Sequence, residues 1–265
     1  MLFNKKINGY QNEEEFARYL NGKKFGRVNP IFQDLLYKLY KNIDFNDTII
    51  CWVNKSKRKA DIYIKVNNFV RGISIKKGVK NSVHVESITR FTKFLEEIGI
   101  EDNIIHKFLN YHFADGTING SGKIRLSSIE YRKKYQQDIN IINNEFNKKK
   151  YIDQFINRFI LQGNKSEYEV DAIIYGVVED FIWITNEEIK YIIRKHLLDN
   201  CSSLHISCLS LQPMSRNLNY NSKYEFCRYH IQIKWYNLSD QIIEVMSTYR
   251  NNRMKNNFDL NISNK

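Results

Sequence analysis

The sequence predicts a mixed α/β protein, in which a sheet flanked by helices is followed by a helical and β-rich C-terminal half. Helix-periodic segments precede three strand-like segments, and further strand-like segments begin beyond Gly163, after a long helical stretch. Hydrophobic residues make up 42% of the 265 residues and aromatic residues 14%, which is typical of a folded chain. No Gly/Ser-rich linker interrupts the chain, so we expect one large domain or two small ones.

The N-terminal part is predicted to contain two helices and three strands. Apolar residues at helical spacing indicate helices over 12–20 and from Pro30 onward, where proline suits a first helical turn. The residue pattern then changes to one typical of strands over 48–53, 60–65 and 69–76. The short segment Val66-Asn67-Asn68 between the last two strands predicts a tight hairpin.

Helices dominate the middle of the chain, and strands return after it. Val85, Ile88 and Phe91 share helical spacing and predict a helix with Glu86 in its first turn. Further helices are predicted over 101–113, 127–161 and 186–198, and the Gly-rich segment 115–122 is predicted as a loop. Strands are predicted over 169–178, 181–184, 204–211 and 225–235.

The net charge of +12 is concentrated in one part of the chain. Residues 1–85 contain 17 Lys and Arg but only 7 Asp and Glu, so most of the surplus lies in the first third. A domain this basic usually binds a polyanion. No apolar run suits a signal peptide or a membrane span, and the four cysteines form no C-x-x-C pair, so we expect a cytoplasmic protein with reduced thiols.

The predicted hairpin brings three polar side chains to one side of the sheet. If Asn67-Asn68 forms the turn, Asp61 lies opposite Ser74, and directly opposed residues point to the same side. Lys76 shares that side because side chains alternate along a strand. A carboxylate, a hydroxyl and an ammonium group are therefore expected together, with space for a backbone or ligand at Gly72.

This group of side chains suits the hydrolysis of a phosphodiester. A carboxylate can bind Mg²⁺, which polarises a phosphate and lowers the pKa of bound water. A nearby lysine can orient or activate the attacking water and offset negative charge. We therefore assign Asp61 as a metal ligand and Lys76 as the residue that positions the water, with Ser74 supporting the metal shell through water. Because one carboxylate alone provides too few protein ligands for a metal site, Glu86 is our candidate for a second ligand.

The arrangement resembles the core of the PD-(D/E)XK nucleases, which include many type II restriction endonucleases. In that family an acid on one strand is followed by x-Lys on the next strand and then by a helix. Asp61 matches the first acid, although Ala60 precedes it where the family usually has Pro, and Ser74-Ile-Lys76 has Ser in place of the usual second acid. One branch has this Ser-x-Lys form with the acid displaced onto the following helix, and Glu86 resembles that acid.

The resemblance covers about residues 10–100 and implies several further properties. Members often have a glutamate on the first helix, which Glu13, Glu14 or Glu15 could supply, and we select Glu14. The family also implies a restriction-endonuclease-like mixed sheet, Mg²⁺ as cofactor and double-stranded DNA as substrate. Cutting both strands calls for two sites related by a two-fold axis, which implies a homodimer.

Candidate DNA contacts fall into a phosphate-binding group and a base-reading group. The first group is basic and suits contacts that position a duplex without reading it; it comprises Lys55, Lys57, Arg58, Lys59 and Lys77. The second lies in the polar segment 212–223 and on the predicted strand after it, and has side chains that can read base edges. It comprises Gln212, Arg216, Asn217, Asn219, Asn221, Gln232 and Lys234. An ordinary polar loop in an Asn-rich protein would have the same composition.

Two other groups of possible metal ligands fit the requirements of a metal site less well. Glu169 and Asp171 lie on one face of a predicted strand, but no lysine follows at the required place. A Cys/His cluster over 196–208 lacks zinc-finger spacing, and His205 and Cys208 would lie on opposite faces of a strand.

Together these observations predict a Mg²⁺-dependent DNA endonuclease, and the resemblance suggests a sequence-specific type II restriction enzyme. We expect a catalytic core over 1–125, a recognition and possible dimerisation region over 126–250, and a flexible tail over 251–265. Two alternatives remain open: a non-catalytic basic DNA- or RNA-binding protein, and a repair, mobile-element or defence nuclease that acts on particular nucleic-acid structures or on RNA.

Overall fold

The computed structural model describes residues 8–56, 58–78, 81–164, 169–196, 203–214 and 222–249, and it shows the predicted mixed α/β fold. The helices in these ranges are α1 (Gly9–Leu20), α2 (Pro30–Leu39), α3 (Ile88–Glu97), α4 (Asp102–Phe113), α5 (Ser128–Phe146), α6 (Lys149–Ile156), α7 (Asn186–Lys195) and α8 (Leu238–Glu244). The strands are β1 (Ile49–Val53), β2 (Ile62–Val66), β3 (Phe69–Lys76), β4 (Ser82–Ser87), β5 (Val170–Val177), β6 (Asp180–Thr185), β7 (His205–Ile206), β8 (Leu209–Pro213) and β9 (His230–Lys234). None of the described helices is both long and apolar enough to cross a membrane.

The chain forms two compact units, each assembled from separate segments. The first unit comprises Met1–Val79, Ile160–Ile192 and Asn237–Lys265, and the second comprises Lys80–Phe159 and Ile193–Tyr236. The first unit joins segments that are distant in sequence, because β3 pairs with a strand that follows it by about a hundred residues. The expected tail over 251–265 lies outside the described residues.

The first unit contains a five-stranded sheet with the order β1-β2-β3-β5-β6. Its neighbouring strands are antiparallel except for the parallel pair β3–β5. In the β2–β3 hairpin Ile62 pairs with Ile73 and Val66 with Phe69, which is the predicted register. The turn residue Asn67 has a φ of 53°, a conformation that asparagine adopts more readily than most residues.

Helices α1 and α2 contribute to the apolar core on one face of this sheet. Phe16 and Leu20 of α1 are fully buried in the same cluster as Ile62, Ile64 and Ile73 of the hairpin. Each such side chain stabilises the fold by about 1.5–3 kcal/mol. Because side chains alternate along a strand, Tyr63 between Ile62 and Ile64 and Ser74 after Ile73 point to the other face of the sheet.

The second unit contains a four-stranded antiparallel sheet with the order β4-β9-β8-β7. Its core is rich in aromatic rings whose edges and faces contact one another; the fully buried ones include Phe91, Phe108, Phe146, Phe155 and Phe159.

Two strand-rich segments differ from the predictions. The predicted helix at Val85 is strand β4 as far as Ser87, whose Oγ caps α3 by accepting a hydrogen bond from the Arg90 amide. Val85 pairs with Gln232 on β9, a partner too distant in sequence for local periodicity to indicate. The predicted strand 204–211 is divided by a turn in which Ser207 has a φ of 51°, and only the second part of 225–235 is a strand.

Candidate active site

The hairpin of the first unit brings Asp61, Ser74 and Lys76 together. Asp61 directly precedes β2, and its amide donates a hydrogen bond of 2.9 Å to the Ile73 carbonyl. One of its carboxylate oxygens, Oδ2, accepts hydrogen bonds from Ser74 Oγ at 2.9 Å, from the Ile75 amide at 2.6 Å and from Lys76 Nζ at 3.0 Å. Hydrogen bonds to a charged acceptor are roughly twice as strong as neutral ones, so this carboxylate is firmly oriented.

The second oxygen of Asp61 is left available by this arrangement. Within the described ranges no hydrogen-bond donor contacts Asp61 Oδ1, and the side chain is 23% exposed. Ser74 is buried and Lys76 is mostly buried. The protein therefore holds Asp61 by one oxygen and presents the other.

The chain after Lys76 is secured by the neighbouring parallel strand. Lys76 pairs with Tyr175 on β5, and Tyr175 Oη donates a hydrogen bond of 2.9 Å to the Gly78 carbonyl. Lys76 Nζ also donates to the Ile75 carbonyl at 3.0 Å. These contacts restrict the ammonium group to the neighbourhood of Asp61.

A further acid, Glu13, lies on the first helix and interacts with this cluster. Asn12 is buried and anchors α1 to the sheet, because its Nδ2 donates a hydrogen bond of 3.0 Å to the Gly176 carbonyl. Partial burial of Glu13 and, next, the negative charge of Asp61 raise the pKa of Glu13 to about 7, against the lowering effect of Lys76. The charge of the Glu13 carboxylate therefore interacts with those of both residues.

The first-helix acid that interacts with Asp61 is thus Glu13, whereas the sequence-based choice was Glu14. Glu14 accepts a hydrogen bond from the Tyr10 hydroxyl, and its charge raises the pKa of that phenol. The helical period could have identified Glu13, because it lies between the buried Ala17 and Leu20 around the helix axis.

Asp61 and Glu13 suit Mg²⁺ as a pair of oxygen ligands. In the described part of the chain no group of three or more His, Cys, Asp or Glu side chains could hold a metal ion. Mg²⁺ nevertheless is usually bound through one or two carboxylates together with water and substrate phosphate. Asp61 Oδ1 is available, and the pKa of Glu13 is raised first by burial and then by the charge of Asp61, so a divalent cation at this position would offset the negative charge of both side chains. The Cys/His cluster over 196–208 is only partly described, since Cys201 lies outside the described residues.

Glu86, the other acid predicted to bind metal, belongs to the second unit and has partners there. It lies on β4 and not on a helix, and its side chain is 1% exposed. Arg158 Nη2 donates to Glu86 Oε2 at 2.7 Å and Arg158 Nε to Oε1 at 3.3 Å, while His84 Nε2 lies 3.1 Å from Oε1. Burial alone would raise the pKa of Glu86, but hydrogen bonds and positive charge from His84 and Arg158 lower it below its usual value. Glu86 is therefore a buried ion-pair partner.

The weaker acidic pair, Glu169 and Asp171, also has partners within the first unit. Asp171 accepts hydrogen bonds from Arg71 Nη1 at 3.1 Å and from the Gly72 amide at 2.8 Å. Glu169 accepts from Gln162 Nε2 at 2.8 Å. The space predicted beside Gly72 is filled by protein backbone, since a Cβ there would lie 2.8 Å from the Glu169 carbonyl oxygen.

The predicted phosphate-binding loop is closed next to Asp61. The Asn54 amide donates to the Asp61 carbonyl at 2.9 Å, and Asn54 Nδ2 donates to the Ala60 carbonyl at 2.7 Å. Lys55 is exposed on this loop, and Arg58, Lys59 and Lys77 are partly exposed. Lys57 lies outside the described residues. Because the loop leads directly into Asp61, its positive charge lies close to the candidate active site.

In the second unit, Gln212, Gln232 and Lys234 share one face of the sheet. Gln212 pairs with Gln232 across β8 and β9, and Gln212 Nε2 donates to Gln232 Oε1 at 3.3 Å. Lys234 Nζ lies 5.6 Å from the ring centre of Tyr236. All three predicted residues are partly exposed, while the alternate strand residues Ile231 and Ile233 are buried. The other base-reading candidates, Arg216, Asn217, Asn219 and Asn221, lie outside the described residues.

Comparison with solved structures shows that the fold is similar to that of a restriction endonuclease. The chain is similar to the restriction endonuclease MspI, whose crystal structure is in complex with its cognate DNA, with a TM-score of 0.56 and 14% sequence identity. The similarity covers 85% of this chain and 88% of that one. No family model and no curated protein matches the sequence. The likeness therefore establishes the fold, in agreement with the mixed α/β architecture predicted from the sequence.

Proposed function

We propose that this protein is a Mg²⁺-dependent endonuclease that hydrolyses phosphodiester bonds of double-stranded DNA, as a sequence-specific type II restriction enzyme. The observation that supports it most directly is the set of hydrogen bonds from Ser74, the Ile75 amide and Lys76 to one oxygen of Asp61. A carboxylate held in this way presents its other oxygen in a fixed direction. The basic loop that ends next to Asp61 suits a polyanionic substrate.

Asp61 and Glu13 are the proposed ligands of Mg²⁺, with Glu13 taking the role first assigned to Glu86. Mg²⁺ bound by such carboxylates polarises a phosphate oxygen and lowers the pKa of bound water. Asp61 offers Oδ1, whereas the partners of Glu86 in the second unit occupy both of its carboxylate oxygens. Loss of the Glu13 proton is favoured when positive charge approaches, since burial and the Asp61 charge are what raise its pKa.

Lys76 and Ser74 have different roles in the proposed reaction. The Lys76 ammonium, 3.0 Å from Asp61 Oδ2, orients the attacking water and offsets negative charge as it develops on the phosphate. Ser74 is a positioning residue, because its hydroxyl donates to Asp61 and is itself buried. Both residues keep the Asp61 carboxylate at one orientation before the substrate binds.

DNA binding is assigned to two surfaces, one in each unit. The cations Lys55, Arg58 and Lys59 next to Asp61 contact phosphates, which fixes the position of the duplex without reading its sequence. Gln212 and Gln232 contact base edges, since a glutamine amide can pair with the donor and acceptor of adenine in the major groove. Lys57, Lys77, Lys234, Arg216, Asn217 and Asn219 complete the proposed contacts.

A homodimer is part of the proposal, since two sites related by two-fold symmetry can cut both strands. Analytical ultracentrifugation with and without a cleaved duplex tests this assignment. A mass near twice 31.7 kDa for the protein component supports it, and a monomer that cuts both strands contradicts it.

Cleavage of mixed plasmid and phage DNA tests the proposed activity. Discrete fragments are expected with Mg²⁺, and none with EDTA. Asp61→Asn and Lys76→Ala should each reduce the rate by about 10²-fold or more, because each removes a charge that acts at the reacting phosphate. Lys41→Ala, which changes an exposed lysine outside the proposed site, is the matched control and should retain the rate.

The other outcomes separate the alternatives. A smear that depends on Mg²⁺ and Lys76 would support nuclease activity but contradict sequence specificity. Salt-sensitive retention of DNA without any cleavage would indicate a binding protein, and full activity of Asp61→Asn would contradict the proposed site.

A further inference from the structure

The face of the sheet that carries Asp61 also carries an exposed tryptophan on the edge strand β1. Cys51 is buried, whereas its neighbours Ile50 and Trp52 are 47% and 40% exposed and point to the opposite side of the strand. The other two tryptophans, Trp183 and Trp235, are only 2% and 0% exposed. A large aromatic surface is thus left open to solvent beside the candidate active site.

The Trp52 side chain is supported by the strand next to it. Trp52 pairs directly with Tyr63 on β2, and their ring centres are 5.7 Å apart at an angle of 36°. Tyr63 itself is buried. Because one face of the Trp52 ring is braced in this way, a ligand that stacks on the other face would lose little additional side-chain entropy on binding.

Trp52 is close to Asp61 along the same sheet. The backbone hydrogen bond from Asn54 to Asp61 continues the β1–β2 pairing, so Trp52 is the diagonal neighbour of Asp61. Such neighbours are separated by about 7–8 Å. A stacked nucleic-acid strand rises 3.4 Å per nucleotide and an unstacked strand spans more, so this separation corresponds to at most about two nucleotides.

Positive charge surrounds this aromatic surface. Lys65 pairs with Ile50 and lies on the same face, since it alternates with the buried Ile64 along β2. At its other end β1 leads directly into the loop that carries Lys55 and Arg58. An aromatic ring between cations matches a nucleotide strand, in which a charged backbone accompanies flat bases.

We propose that Trp52 stacks on a nucleobase within about two nucleotides of the phosphate at Asp61. This inference rests on the proposed function and adds to it a base contact on the catalytic unit itself. A tryptophan can stack only on a base whose face is exposed, so the bound strand is locally unstacked near the site of cleavage. The contact does not select one base, because every base has an aromatic face.

Intrinsic fluorescence tests the contact directly, since Trp52 is the exposed member of the three tryptophans. The protein is titrated in EDTA with a pool of 20-base-pair duplexes of randomised sequence, and binding is measured on the same samples by anisotropy of a terminal dye. The expected result is quenching of tryptophan emission that follows the anisotropy change. Trp52→Phe should bind with little change in emission, because the remaining tryptophans are buried.

Affinity measurements give a second, independent readout. Trp52→Ala should weaken binding by roughly fivefold to a hundredfold, the usual effect of losing one base–aromatic stack. Ile50→Ala, on the same strand face and similarly exposed, is the matched control and should bind as the wild type does.

Each contrary result has a distinct meaning. Binding by anisotropy with unchanged emission and with full affinity of Trp52→Ala would overturn the inference and leave the proposed function intact. No binding at low salt would count against the proposed function as well. Emission that changes with protein concentration before DNA is added would show that a second copy of the chain covers Trp52, which also overturns the inference.

Discussion

Loss of Arg158 should destabilise the protein strongly, because it leaves the Glu86 carboxylate buried without its arginine partner. Glu86 is 1% exposed and receives two hydrogen bonds from Arg158, whose own side chain is 17% exposed. Removing one partner of a buried ion pair costs about 3–5 kcal/mol. In Arg158→Met the free energy of unfolding should fall by about this amount, and the Tm of a chain of this size by roughly 6–20 °C.

Urea unfolding measures this change, and a surface pair in the same unit is its control. Arg194 and Asp153 also form a short ion pair, at 2.8 Å, but their side chains are 53% and 59% exposed. Arg194→Met should therefore cost less than about 1 kcal/mol. The double variant Glu86→Met/Arg158→Met should recover much of the stability lost in Arg158→Met, because it no longer buries an unpaired charge.

The pH dependence has a defined sign. Because the pKa of Glu86 is lower in the folded protein than in the unfolded chain, its ionised form stabilises the fold above the unfolded pKa. That contribution is lost as the pH falls through the lower, folded pKa. The difference in unfolding free energy between the wild type and Glu86→Gln should accordingly shrink below about pH 4.

A loss of less than about 1 kcal/mol in Arg158→Met would refute the buried ion pair. In that case a Glu86→Gln variant that keeps its stability but needs much more Mg²⁺ for cleavage would restore Glu86 as a metal ligand.

Three further predictions concern the first unit. Glu13→Gln should raise the Mg²⁺ concentration that gives half-maximal cleavage by roughly tenfold or more, whereas Glu14→Gln should leave it unchanged; equal effects of the two variants would argue against Glu13 as a ligand. Gly72→Ala should lower the free energy of unfolding in urea by about 1–3 kcal/mol, because its Cβ would lie 2.8 Å from the Glu169 carbonyl oxygen, and an unchanged transition would show that the strands can separate freely. Lys55→Ala should reduce the slope of log affinity against log salt by about 1 and weaken all duplexes equally, so a change in sequence preference without a change in slope would contradict a phosphate contact.

The local sequence pattern was sufficient to predict the hairpin and the polar side chains that it brings together. The alternation of Ile62, Ile64 and Ile73 with polar residues indicates which side of each strand is buried, and the Asn67-Asn68 turn sets the register. These two features place Asp61 opposite Ser74 without any information from the rest of the chain. The roles of the side chains remain predictions.

Features that depend on distant partners could not be predicted in this way. Val85 and Glu86 fit a helical pattern as well as a strand, and pairing with β9 decides between them. Arg158, the partner of Glu86, is 72 residues away in the sequence, so a buried ion pair and a metal ligand look the same locally. The choice among the acids of the first helix is different, because the spacing of Ala17 and Leu20 already favours Glu13 without any distant partner.

The parallel pairing of β3 with β5 affects how a cell would produce this protein. Synthesis of the hairpin is complete once Lys76 has been added, but the strands that complete its sheet end only at Thr185. At ordinary translation rates the ribosome needs roughly 5–20 seconds to make the residues between these points. During that time the nascent chain exposes the unpaired edge of β3. Such an edge can bind a chaperone or start aggregation. The same delay keeps the Lys76 segment without its support from Tyr175, so a protein built in this order gains its complete site only late in its own synthesis.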